Sequence, residues 1–89
     1  MPYIPPYRRQ HLDCHIDRLA SRLVHLGASP GDLNYSITRL LTLLYGIDPT
    51  YSKIASAMGT LECVKAEFYR KVAAPYEDKK ATENGQVYP

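Results

Sequence analysis

Residues 48–75, Asp-Pro-Thr-Tyr-Ser-Lys-Ile-Ala-Ser-Ala-Met-Gly-Thr-Leu-Glu-Cys-Val-Lys-Ala-Glu-Phe-Tyr-Arg-Lys-Val-Ala-Ala-Pro, decide the fold of this 89-residue chain. Ile54, Met58, Leu61, Phe68 and Val72 recur at three- and four-residue steps or their sums, the spacing of one α-helical face. At about 100° per residue, Lys65 falls within roughly 20° of the centre of that stripe, and Glu62 near its edge. A charge removed from water without a partner costs several kcal/mol. The pattern therefore predicts a helix that carries an internal ion pair or lines a polar cleft. A second side of the same helix holds Ala55, Gly59, Ala66 and Ala73, residues small enough for another helix to approach closely.

Working outward, Asp48-Pro49 reads as a cap followed by a proline and opens this helix, over about 49–74, and Pro75 stops or kinks it. On the N-terminal side, Ser29-Pro30-Gly31-Asp32 is a capping box, with Asp32 reaching back to Ser29. It starts a helix over about 30–45 whose apolar face is Leu33, Ile37, Leu40, Leu41 and Leu44, ended by Gly46. Before it, Leu12, Ile16, Leu19, Leu23 and Leu26 step 4-3-4-3, which predicts a helix over about 8–26 closed by Gly27. Residues 76–83 predict a short polar last helix, and both termini are expected to be extended, with Tyr3, Tyr7 and Tyr88 holding them against the body or another subunit. No strand pattern occurs. The expected fold is all-α, one domain over 1–89, with three main helices and a short C-terminal one.

Composition narrows the function classes. A hydrophobic content of 45% and a charged content of 22% are ordinary for a globular protein, and a net charge of +2 is not a concentrated basic surface. No apolar run is long enough to span a membrane, and Met1-Pro2-Tyr3-Ile4-Pro5-Pro6 lacks the layout of a signal peptide, so a cytoplasmic address is expected. Cys14 and Cys63 are far apart in sequence and are expected to be reduced thiols. Eight tyrosines beside one phenylalanine and no tryptophan favour half-dry interfaces. A chain this small, with a helix this long and apolar or small on more than one side, is expected to form a dimer or higher oligomer.

Candidate site residues follow from the same faces. Glu62 with Lys65, and Glu67 with Arg70 or Lys71, have ion-pair spacing. Lys65 with the neighbouring Tyr69 has the chemistry to hold a phosphate or carboxylate. Asn34 falls beside the apolar face of the second helix, placed to meet Glu62 or Lys65 inside. Arg39 points away from that face, and Tyr76 lies beyond Pro75 as an outer contact. The expected ligand-binding set is thus Asn34, Arg39, Glu62, Lys65, Tyr69, Arg70 and Tyr76. His11, Cys14 and His15 offer a histidine pair one turn apart, but two ligands do not make a metal site and no second cluster completes them. No cofactor or catalytic set is expected.

The opening Met1-Pro2-Tyr3-Ile4-Pro5-Pro6, the stretch Gly31-Asp32-Leu33-Asn34-Tyr35-Ser36-Ile37-Thr38-Arg39-Leu40-Leu41, the block Leu61-Glu62-Cys63-Val64-Lys65-Ala66-Glu67-Phe68-Tyr69-Arg70-Lys71 and Pro75-Tyr76-Glu77-Asp78-Lys79-Lys80 with Glu83-Asn84-Gly85-Gln86-Val87-Tyr88 resemble a family of small proteins in phage and prokaryotic genomes. The resemblance covers nearly the whole chain. It implies a compact accessory protein of a phage or bacterium and brings no catalytic residues.

Two function classes follow. One is a non-enzymatic oligomeric binding protein that sequesters a small anionic, nucleotide-like ligand or occludes a host protein. The other is an all-α nucleotide hydrolase, which needs clustered carboxylates for magnesium. Glu62 and Glu67, five residues apart, do not cluster within one chain, so a hydrolytic site would have to be shared between subunits. Weak nucleic-acid binding stands third, on Arg8, Arg9, Arg18 and Arg22 along the first helix, interspersed with Asp13 and Asp17.

Overall fold

A computed structural model describes all 89 residues. The chain is all-α: α1 (Pro6–Leu26), α2 (Pro30–Tyr45), α3 (Tyr51–Phe68), a π turn (Tyr69–Ala73) and α4 (Ala74–Asn84). It divides into two units, Tyr3–Ala55 and Ser56–Pro89 with Met1–Pro2.

In the first unit, local chemistry sets every helix end. Pro6 takes the first helical position of α1, where a missing N–H costs nothing. The Arg8 and Arg9 N–H groups donate to the Pro5 carbonyl at 3.0 and 3.2 Å. Arg9 Nε donates to the Ile4 carbonyl at 2.7 Å and ties the extended N-terminal segment to the helix. Gly27, at φ 65° and ψ 54°, turns left-handed and closes α1, helped by Ala28 N–H donating to the Leu23 carbonyl at 3.0 Å. The capping box then opens α2: Asp32 N–H donates to Ser29 Oγ at 3.3 Å, and Ser29 N–H to Asp32 Oδ2 at 2.9 Å.

The start of α3 differs from the sequence reading. The cap is Thr50, not Asp48: Lys53 N–H donates to Thr50 Oγ1 at 3.4 Å and Ile54 N–H to the Thr50 carbonyl at 3.0 Å. A hydroxyl caps as well as a carboxylate, and Thr50 directly precedes the first helical residue.

In the second unit, Pro75 does not stop the helix; of the two expected outcomes, a stop or a kink, only the stop is excluded. Proline has no N–H and its ring collides with the carbonyl four residues back. The chain passes that obstruction in a π turn, with Ala74 N–H bonded to the Tyr69 carbonyl five residues earlier. Pro75 then occupies the first turn of α4. The expected separate helices over 49–74 and 76–83 are therefore one helical run from Tyr51 to Asn84. Gly85, at φ 95°, ends it.

No side chain in the chain is buried. Ile16 is 58% exposed, Leu40 56% and Phe68 64%. Within the first unit α1 and α2 do not lay their apolar faces together; in the second, the π turn and α4 meet only as successive turns of one helical run.

Candidate functional site

The charged pairs foreseen on α3 form, but on the surface. Lys65 Nζ lies 3.8 Å from Glu62 Oε1, with the two side chains 79% and 72% exposed. The expectation of a buried pair or an enclosed cleft is not met within this unit, none of whose other elements covers that side of α3. Arg70 grips both oxygens of Glu67, at 3.0 and 3.3 Å. Asn34 bonds locally rather than to Glu62 or Lys65, its Oδ1 accepting from Thr38 Oγ1 at 3.1 Å. It lines a shallow hollow at the head of α2 with Pro30, Gly31 and Tyr35. Arg39 is exposed on the same helix.

Tyr69 and Tyr76 share one hollow. After Gly85 the tail turns back, so that Val87 and Tyr88 join Tyr69, Tyr76, Glu77 and Lys80 around a hollow of about 530 Å³. Tyr88 lines this hollow but stays 80% exposed. The Tyr69 hydroxyl donates to the Glu77 carboxylate. That bond, the negative charge of Glu77, slight desolvation and the nearby Tyr88 and Asp78 all push the phenol above its ordinary 10.0. Lys80 stands 5.6 Å from the centre of the Tyr76 ring and bonds Glu83 at 3.2 Å. Glu77 and Asp78 face one lysine that already has a carboxylate, so the hollow has the wrong sign for an anion.

The better anion surface is on α1. Arg18, Leu19, Ser21, Arg22 and His25 line a notch along one side of the helix. Arg18 and Arg22 are one turn apart, and the ion pairs of the chain (Glu62–Lys65, Glu67–Arg70 and Lys80–Glu83) involve neither. Two adjacent guanidinium groups without a carboxylate repel mildly and favour an anion between them. The shared face of Arg18 and Arg22 is legible in the sequence. The addition of His25, seven residues after Arg18, follows from the same helical count. Elsewhere, no group of three or more His, Cys, Asp or Glu side chains gathers, and Cys14 and Cys63 are free and exposed.

A family model described as a domain of unknown function (DUF6899) matches residues 1–87. No curated protein and no solved structure matches the chain. No helix is long and apolar enough to cross a membrane.

Proposed function

Because the chain belongs to this family of unknown function, DUF6899, we propose that it is a non-enzymatic helical binding protein that works as a homo-oligomer and sequesters a small, nucleotide-like anion. One observation carries the reading: in a chain that is 45% hydrophobic, neither unit buries a side chain within itself. Folding free energy comes mainly from apolar burial. Faces as continuous as those of α1 and α2 need a partner, and further copies of the same chain are always at hand. The charge of the ligand follows from Arg18, Arg22 and His25, which share one notch. Arg39, exposed on α2 of the same unit, is an outer cation in this reading. The resemblance to phage and prokaryotic accessory proteins supports a bacterial or phage-infected cytoplasm as the setting. Occlusion of a host protein is the second reading, favoured by the exposed Leu33, Leu40 and Leu44 on α2.

Native mass spectrometry of protein purified gently from its own host tests this. The expected result is an oligomer carrying a nucleotide-sized anion, with the extra mass lost in an Arg18→Glu/Arg22→Glu variant that keeps its subunit number. A bare monomer that is helical at micromolar concentration overturns the proposal. Magnesium-dependent consumption of the bound nucleotide would instead establish a hydrolase with a shared site.

A further inference from the structure

We propose that α1 pairs with α1 of a second copy as a parallel, in-register two-stranded coiled coil. This rests on the oligomer reading and names its interface. The α1 seam is a heptad repeat, with Leu12, Leu19 and Leu26 at d and Ile16 and Leu23 at a. Leu12, Ile16, Leu19 and Leu26 are 47%, 58%, 47% and 64% exposed, and Leu23 is half-buried. Leucine at d with a β-branched residue among the a positions favours two strands. The preceding a position is Arg9, the type of polar a residue that fixes register and strand number.

The flanks of the seam set the direction. The g positions are Arg8, His15 and Arg22, all basic, and the e positions inside the helix are Asp13 and Ala20. In a parallel pair each g residue faces the e position five residues on in the other helix. Arg8 of each copy then meets Asp13 of the other, once on each side of the dimer. An antiparallel pair sets the two basic g rows against one another instead. Charge complementarity thus selects the parallel arrangement.

A second copy fits this seam because α2, the other helix of the same unit, does not pack on it. The seam from Leu12 to Leu26, ~21 Å long at 1.5 Å per residue, supplies the first part of the interface. The apolar face of α2 is left to extend it.

Disulfide trapping in the full-length chain tests the arrangement. In a Cys14→Ser/Cys63→Ser background, Leu12→Cys and Leu26→Cys each place identical d positions side by side in a parallel pair. Both variants should form disulfide-linked dimers under mild oxidation while keeping the helicity of the parent. With Cys63→Ser alone, Cys14, at the outward f position, should not cross-link. Asp13→Arg should raise the dimer dissociation constant on the order of tenfold at low salt, and Arg8→Asp added to it should restore the parent value. If Leu12→Cys and Leu26→Cys cross-link only when mixed, the pair is antiparallel and the proposal fails. An oligomer in which neither variant cross-links also overturns it and leaves the oligomer reading intact. A monomeric parent by sedimentation overturns both.

Discussion

Replacing Pro75 with alanine tests whether that proline is the cause of the π turn and, through it, of the Tyr69–Glu77 bond. The turn bonds Ala74 N–H to the Tyr69 carbonyl and so takes up one residue more than an α turn. Tyr69 and Glu77, eight apart in sequence, consequently stand as if seven apart. At ~100° per residue that leaves them ~20° from a common line, against ~80° in an unbroken α-helix. On a helix of ~11 Å diameter, an 80° offset separates the side-chain positions laterally by about 7 Å, well beyond hydrogen-bond reach. Alanine also removes a residue that costs up to ~3 kcal/mol in a helix interior. Pro75→Ala should therefore strengthen the helix and lose the bond. The readout is phenolate absorbance during an alkaline titration. The folded Tyr69 phenol ionises above its ordinary 10.0 because Glu77 holds it neutral. The stabilisation this gives is complete below pH 10.0 and disappears as pH rises through the raised value. In the parent, one phenol should titrate after its neighbours, and Tyr69→Phe should remove that phenol. Pro75→Ala should return it to the ordinary range. A late phenol that persists in Pro75→Ala would show that the π turn does not depend on the proline.

Two further outcomes follow from local geometry. At Gly27, φ is +65° and no atom lies within 4 Å of where a Cβ would stand, so Gly27→Ala meets a backbone penalty and no clash. Thermal denaturation should show a loss of about 1–2 kcal/mol, and a gain would refute a left-handed residue at the end of α1. Lys65→Met removes one half of an ion pair whose side chains are 79% and 72% exposed. Its effect on stability in denaturant titration should stay within ~1 kcal/mol, because exposed pairs contribute little. A loss of several kcal/mol would mean that the assembled protein buries the pair, stranding Glu62 when its partner is removed.

What was legible in the sequence depended on how far apart the deciding groups lie. The start of α2 was readable because Ser29 and Asp32 complete their capping box within four residues, and the end of α1 because Gly27 alone supplies the turn. The α1 seam was readable because periodicity needs no partner to be seen. Pro75 was only half readable, since a stop and a kink were both open and the sequence does not mark the helix's way round the obstruction. Two answers are open to a chain at a proline, a stop or a wider turn, and only the backbone bond from Ala74 to Tyr69 tells them apart. Lys65 misled for a different reason. Its place on the apolar stripe of α3 is a property of one helix, whereas burial is a property of what lies against that helix. Its own unit puts nothing there, so Lys65 and Glu62 are exposed in it. Of the expected ligand contacts, Tyr69 and Tyr76 share a hollow, but its carboxylates suit them poorly to an anion. The cations best placed for one, Arg18 and Arg22, carry a basic pattern too short to stand out in a chain of net charge +2.

On α1, the proposed assembly and the proposed ligand binding meet at one residue. Arg22 flanks the leucine seam at a g position and also lines the notch with Arg18 and His25. In a parallel pair the facing e position of the second copy is Gly27, which offers no carboxylate, so Arg22 gains no ion pair from dimerisation. The only pairing charge along the seam is then Arg8 with Asp13, and the Arg22 end of the dimer keeps its positive charge for a ligand. An anion held by Arg22 reduces the repulsion between like charges gathered at that end of the coil. Binding and pairing are linked through that repulsion, and linkage is reciprocal: whatever factor the anion adds to dimer affinity, the dimer adds to anion affinity. A sequestering protein built this way is most retentive when assembled. That gives a physical reason for an apolar seam and an unpaired cationic edge to lie side by side on one helix.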